Sequence, residues 1–281
     1  MRRLVQPGPV SAERIESFAC GGRELTFRLE AGVSLNRALT APLVAAGMQA
    51  GALTFSGGVL APFVYVVPAQ PTDALHVAYF SAPRMPGRGE VMLANATFGW
   101  RDGEPFVHCH GTWMEPDGRL HGGHMMPHET FIQEGAEVRG WGTPDVRIAA
   151  EPDPETNFPL FRPLSVGGDG GRFVIARVRP NEDICTALET TCRLHGIREA
   201  IVRASLGSLV GARFTDGAMV TDHATEVLVR SGRVFSDGDG ALRAELDMIA
   251  VDMSGAVHEG WLVRGENPVC ITFELMLEAL G

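Results

Sequence analysis

Five of the nine histidines in this 281-residue chain fall within 21 positions, in the stretch FVHCHGTWMEPDGRLHGGHMMPH at 106–128. Neutral imidazole is a donor that suits zinc and related divalent transition metals, so their arrangement matters. Residues 106–114 and 119–126 read as two strands joined at Pro116-Asp117-Gly118. Pro at the first turn position and Gly at a left-handed position fit a three-residue hairpin loop. Such a loop pairs Glu115 with Arg119, and the same register sets His110 opposite His124. His108 lies two residues from His110 and shares its face, because strand side chains alternate. The expected metal ligands are therefore His108, His110 and His124. Gly122 and Gly123 remove side chains beside them and let backbone come close. His121 falls on the opposite face, and it and His128 stay outside the ligand set. Cys109 also faces away and reads as a small buried apolar residue.

Three ligands leave a fourth position for water or substrate. A zinc-bound water titrates at roughly pH 7 and becomes a nucleophile, so hydrolysis or hydration of a small molecule is the chemistry in view. Zinc is the expected cofactor, with nickel, iron(II) and copper compatible with the same donors. Glu90, Glu129 and His128 are nearby candidates for an acid or base, and none is assigned a catalytic role. Glu90 opens a strand that recurs elsewhere with Glu226, which favours structure; His128 and Glu129 follow the hairpin and read as exposed. Trp113 and Trp141 read as core, while Arg84, Arg88 and Arg101 flank the region with positive charge for an anionic substrate.

The elements that carry these residues occur twice. Residues 28–60 align without a gap on residues 177–209, at a spacing of 149. Arg28, Ala38, Leu39, Gly47, Ser56, Gly58 and Leu60 recur as Arg177, Ala187, Leu188, Gly196, Ser205, Gly207 and Leu209. Each copy shows a short strand, a capping Ser34 or Asp183, a helix of about three turns ended by Gly47 or Gly196, then an apolar strand. Further on, GEVMLANATF at 89–98 matches TEVLVRSGRV at 225–234, and GAEVRGW at 135–141 matches TFELML at 272–277. The hairpin at 106–128 matches residues 244–261, where Glu245, Asp247 and Trp261 replace the three histidines. Copy two thus reads as a structural partner with a plugged site. Copy one carries an extra segment around 67–83. The expected organisation is a first domain at 12–142, a Pro/Gly-rich linker at 143–171 and a second domain at 172–281. Phe158, Leu160 and Phe161 would pin the linker to a domain surface, and its Glu151, Asp153 and Glu155 read as solvated.

Composition bounds the function. With 45% hydrophobic and 21% charged residues the chain is globular. A formal net charge of −10 argues against a nucleic-acid partner. There is no apolar run of 18 residues, so no membrane span is expected. The N-terminus lacks the apolar core of a secretion signal, and five cysteines without a C-x-x-C fit a reducing compartment, so a cytoplasmic location is expected.

Gly89-Glu90-Val91, His108-Cys109-His110, Asp117-Gly118, Gly122-Gly123-His124 and Glu137-Val138, in that order, resemble the PPC domain, the plants and prokaryotes conserved domain. The resemblance covers nearly the whole chain, once per copy. It implies an α+β fold: two tandem PPC-like domains, each an antiparallel sheet flanked by helices. It also implies a homo-oligomer, either a trimer or a pseudo-symmetric assembly of the two copies, and a bound metal, zinc above all, at the H-x-H and G-G-H histidines. In plants the domain accompanies AT-hook motifs, but this chain has no Arg-Gly-Arg-Pro hook. Two readings stand: a metal-binding protein acting on a small molecule, or a DNA-associated regulatory or assembly protein without catalysis.

Overall fold

Alternating apolar residues and frequent turn glycines favour strands over helices, and a computed structural model places most of the chain in sheet; it describes residues 2–168 and 170–280. The first half runs β1 (Ile15–Cys20), β2 (Arg23–Arg28), α1 (Leu35–Ala45) and β3 (Ala50–Phe55). Short strands β4 (Val59–Leu60), β5 (Tyr65–Val66), β6 (Pro68–Ala69) and β7 (Tyr79–Phe80) follow. Then come β8 (Gly89–Arg101), β9 (Glu104–Met114), β10 (Leu120–Met125), β11 (Ile132–Glu134) and β12 (Glu137–Thr143). A hairpin, β13 (Val146–Pro152) and β14 (Pro159–Ser165), leads to the second half. That half holds β15 (Phe173–Val178), α2 (Ile184–Leu194), β16 (Ala200–Leu209), β17 (Ala212–Arg213), β18 (Met219–Val220) and β19 (Thr225–Ser236). It ends with β20 (Leu242–Val251), β21 (Val257–Trp261) and β22 (Val269–Ala279).

The duplication is visible in topology. The first sheet contains the order β2-β12-β3-β8-β9-β10, and the second contains β15-β22-β16-β19-β20-β21. Among the described residues neighbouring strands pair antiparallel, apart from a single parallel pair, Ala149 with Trp100, between β13 and β8. Each helix starts as the sequence dictates: the Ser34 hydroxyl accepts the Arg37 N–H, and the Asp183 carboxylate accepts that of Thr186. Each is followed by glycine at positive φ, 74° at Gly47 and 68° at Gly196, where a Cβ would strain the turn. Leu35, Leu39 and Leu43 line one stripe of α1 and are fully buried. Leu39→Ala would cost about 2–5 kcal/mol through lost burial and the cavity left behind.

Three expectations are corrected. Each half has one 11-residue helix, so the protein is sheet-dominated rather than a pair of sheets flanked by helices. The reason is that each sheet's second face is covered by the other half. Ala50, Ala52 and Trp141 pack with Ile175, Ala204 and Met276, and the small alanines let the sheets approach. Secondly, β1 does not join the first sheet; it pairs with β15 at the edge of the second. Thirdly, the stretch read as a linker forms the β13–β14 hairpin, and its acidic residues are not all solvated. Asp153 accepts hydrogen bonds from Arg177 and Arg179, each at 2.7 Å, and Glu155 pairs with Arg14 at 2.8 Å. The Asp153 and Glu155 side chains are almost fully buried. Among the described residues no helix is long and apolar enough to cross a membrane.

Candidate metal centre

Strand β9 splits its side chains between two environments. Val107, Cys109 and Trp113 point into the helix-side core and are fully buried, whereas His108 and His110 point towards the second half. The turn has the expected register: the Glu115 N–H donates to the Arg119 carbonyl at 3.0 Å, and His110 pairs with His124 across β9 and β10. Gly118 takes the left-handed conformation at φ 77°. Gly123, at φ 154°, lets β5 pair beside His124, since a Cβ there would sit 2.5 Å from the Val66 carbonyl oxygen. A Cβ on Gly122 would collide with Val251 of the second half at 2.5 Å.

His108, His110 and His124 each offer a ring nitrogen, and those atoms all lie within 4.8 Å of one another. Their ring centroids are 4.5, 4.9 and 5.2 Å apart. The hydrogen bonds decide which nitrogens are free. His110 Nδ1 lies 3.1 Å from the Val227 carbonyl oxygen, which can only accept, so Nδ1 carries the hydrogen and Nε2 the lone pair. His108 Nδ1 lies 2.9 Å from the Glu274 carboxylate and donates to it, leaving Nε2 as an acceptor. The two Nε2 atoms nevertheless meet at 2.9 Å, and a Glu226 oxygen stands 2.9 Å from His110 Nε2. Three electron-rich atoms at this separation need a cation among them, either a proton or a metal ion. His124 Nδ1 is buried and has no hydrogen-bond partner among the described residues.

Electrostatics follow from the same neighbours. Burial pulls the His110 pKa down, but the charge and hydrogen bond of Glu226, then the Val227 carbonyl and Glu274, prevail and leave it raised. His124 is pushed well below the usual imidazole value by burial and by the charges of His108, His110 and Arg101, which keeps it neutral and able to donate a lone pair. Cys109 lies in the core behind the site, its thiol pKa raised by burial.

The second half does more than pair structurally. It supplies Glu226, Glu274 and the Val227 carbonyl to the first half's histidines. Its own hairpin keeps the backbone, with Gly260 at φ 155° matching Gly123, and Asp247 opposite Trp261. There the carboxylates are already neutralised: Arg230 donates to both oxygens of Asp247 at 2.7 and 2.8 Å, and Arg233 pairs with Glu245 at 2.8 Å. Trp261 lies at the surface, 45% exposed.

His108 and His124 open onto a cavity of about 330 Å³ between the halves. Its wall combines Tyr79 and Phe80, from the segment present only in copy one, with Phe158 and Phe161 of the β13–β14 hairpin. The Phe80 ring lies 5.3 Å from that of His124 and 6.2 Å from that of Phe158. Arg101, Glu226 and Glu274 are on the same lining.

The structure brings His108, His110 and His124 together as expected. Trp113 packs in the core against Phe63 and Tyr65, and Trp141 sits between the sheets. His121 lies near Glu115 and Asp117, 3.8 Å from each. Glu90, His128 and Glu129 are exposed, and none lines the cavity. Sequence reading missed Glu226 and Glu274. Both stand in the repeated Glu strands, matched to Glu90 and Glu137 of copy one, which face solvent. Only the packing of one copy's strand face onto the other's hairpin turns them inward.

A duplicated antiparallel sheet with a histidine cluster at the seam between its copies defines a tandem two-domain protein whose site is shared by both halves. The sequence pattern of the Plants and Prokaryotes Conserved (PCC) domain matches residues 16–138 and 166–281, and the chain belongs to that family as two tandem copies. A plant- and prokaryote-conserved protein of Pyrococcus horikoshii is 20% identical over 56% of this chain and 100% of its own, with a TM-score of 0.40. A metal-containing protein of Archaeoglobus fulgidus is 18% identical over 53% of this chain and 99% of its own, with a TM-score of 0.41. A Ralstonia eutropha JMP134 chain, provisionally described as DNA-binding, is 18% identical over 49% of this chain and 89% of its own, with a TM-score of 0.37. No curated protein matches the chain.

Proposed function

We propose that this protein binds one divalent transition metal, zinc by the nature of the donors, on His108, His110 and His124, and acts on a small molecule admitted by the adjoining cavity. The observation that carries this reading is the meeting of unshared electron pairs. Two Nε2 atoms and a carboxylate oxygen converge while the opposite nitrogens of both rings are committed elsewhere. A single ion on the three imidazoles removes that conflict.

When bound, such a metal supplies Lewis acidity to a molecule reaching its open side. The remaining work belongs to the chain. Glu274 fixes the tautomer and orientation of His108, and the Val227 carbonyl does the same for His110. Glu226 places a carboxylate oxygen 2.9 Å from His110 Nε2, where it can hold a proton delivered from the cavity. The aromatic wall limits water and strengthens these polar contacts.

Metal analysis of protein purified without a polyhistidine tag tests the reading, beside a His110→Ala/His124→Ala variant. About one metal per chain in the first and a large loss in the second is the expected result; equal content in both removes the proposal.

A further inference from the structure

The cavity wall carries information about its occupant that the histidines do not. Tyr79 and Phe80 are 42% and 39% exposed, unusual for large aromatic groups that also contact one another and Phe158. The same short segment that holds them occurs only in the copy with histidines. Phe161 lies 6.5 Å from His108 and 6.1 Å from Phe106, so aromatic rings flank the cluster on both sides.

Among the described residues Arg101 is the one guanidinium on this lining. It lies over the Phe106 ring at 4.2 Å and, among the described residues, has neither an ion pair nor a side-chain hydrogen bond. Among the described residues neither carboxylate on the lining pairs with it: Glu226 stands against His110, and Glu274 accepts from His108. An exposed planar cation at the edge of an apolar cavity, with both forks of its hydrogen-bond donors free, matches a carboxylate. The volume of about 330 Å³ lies at the small end of ligand sites, roughly 300–1,000 Å³, which favours a single ring over a nucleotide.

We infer that the cavity receives a small aromatic carboxylate, its ring among Tyr79, Phe80 and Phe158 and its carboxylate on Arg101, with the far edge of the ring towards His124. This names the molecule presented to the proposed metal and rests on that reading for its consequence, while binding itself needs only the cavity.

Calorimetric titration with benzoate and with its neutral isostere benzamide, on zinc-loaded and chelator-treated protein, tests the inference. Zinc content is measured on the same samples. Benzoate should bind more tightly than benzamide by about tenfold or more, in both metal states. Arg101→Met should abolish that preference without changing zinc content, and Phe80→Ala should weaken both ligands alike. The inference is overturned if the two ligands bind equally, if neither binds wild-type protein, or if the preference survives in Arg101→Met and disappears on chelation. The last result would put the carboxylate on the metal; protein that takes up no zinc but still prefers benzoate would instead end the metal reading alone.

Discussion

Glu274→Gln separates a carboxylate that tunes a ligand from one that merely fills space. Glu274 accepts from His108 Nδ1 at 2.9 Å, its side chain is only 6% exposed, and its other oxygen has no partner among the described residues. Glutamine keeps the shape and one acceptor but removes the charge that makes His108 a better donor through Nε2. Loss of such an outer carboxylate lowers metal affinity by about 10–100-fold, equivalent to about 1.4–2.7 kcal/mol. The amide would also turn an NH₂ towards a place with no acceptor, costing about 1–3 kcal/mol of folding stability. Zinc affinity would be measured by competition with a chromophoric chelator, and metal-free stability by urea unfolding. Glu90→Gln is the control, because Glu90, the copy-one counterpart of Glu226, lies exposed and off the cavity. Zinc affinity in Glu274→Gln within about twofold of wild type, or an equal loss in Glu90→Gln, would refute the orienting role.

Four further outcomes are expected. Burial pushes the Asp153 carboxyl up, but Arg177 and Arg179 outweigh it and hold it at about 2, against 3.8 when unperturbed. Its depressed value means that this stability is present above pH 3.8 and drains away as pH falls towards 2; Asp153→Asn should cost about 2 kcal/mol at pH 7, a gap that closes in acid urea titrations. Gly123→Ala should lower the urea midpoint by the equivalent of about 1–3 kcal/mol, since it puts a Cβ at φ 154° against the Val66 carbonyl. Light scattering should give a mass above that of one 30.2 kDa chain, and a clean monomer would count against the expected oligomer. A duplex-DNA mobility-shift titration at moderate salt should show no retardation at micromolar protein, consistent with a net charge of −10; a discrete shifted band would restore the DNA-associated reading.

Local patterns made the hairpin and the repeat legible. Pro116-Asp117-Gly118 set a loop whose register can be counted residue by residue, and alternation then put His108, His110 and His124 on one face. Capping residues and glycines marked both helices for the same reason. The errors concern long-range packing. Sequence alternation shows that a sheet has two apolar faces but not what covers the second, so helices were expected where the other sheet lies. The Asp153 cluster looked solvated because its arginines, Arg177 and Arg179, come from another strand more than twenty residues on. Glu226 and Glu274 were hidden in the same way, over a hundred residues from the histidines they contact. Tyr79 and Phe80 did carry a signal: they occupy the one insertion that distinguishes the histidine-bearing copy.

The placement of donors in one copy and their carboxylate neighbours in the other has an evolutionary corollary. Where identical subunits assemble, every substitution appears at once on both sides of each contact. A covalent tandem frees each side to drift alone. Here one hairpin carries imidazoles while its twin carries arginine-locked acids, yet glutamates on the twin's flanking strands β19 and β22 serve the neighbouring copy. Separating the gene into two fragments would therefore yield one piece with ligands and no orienting groups, and another with orienting groups and nothing to orient.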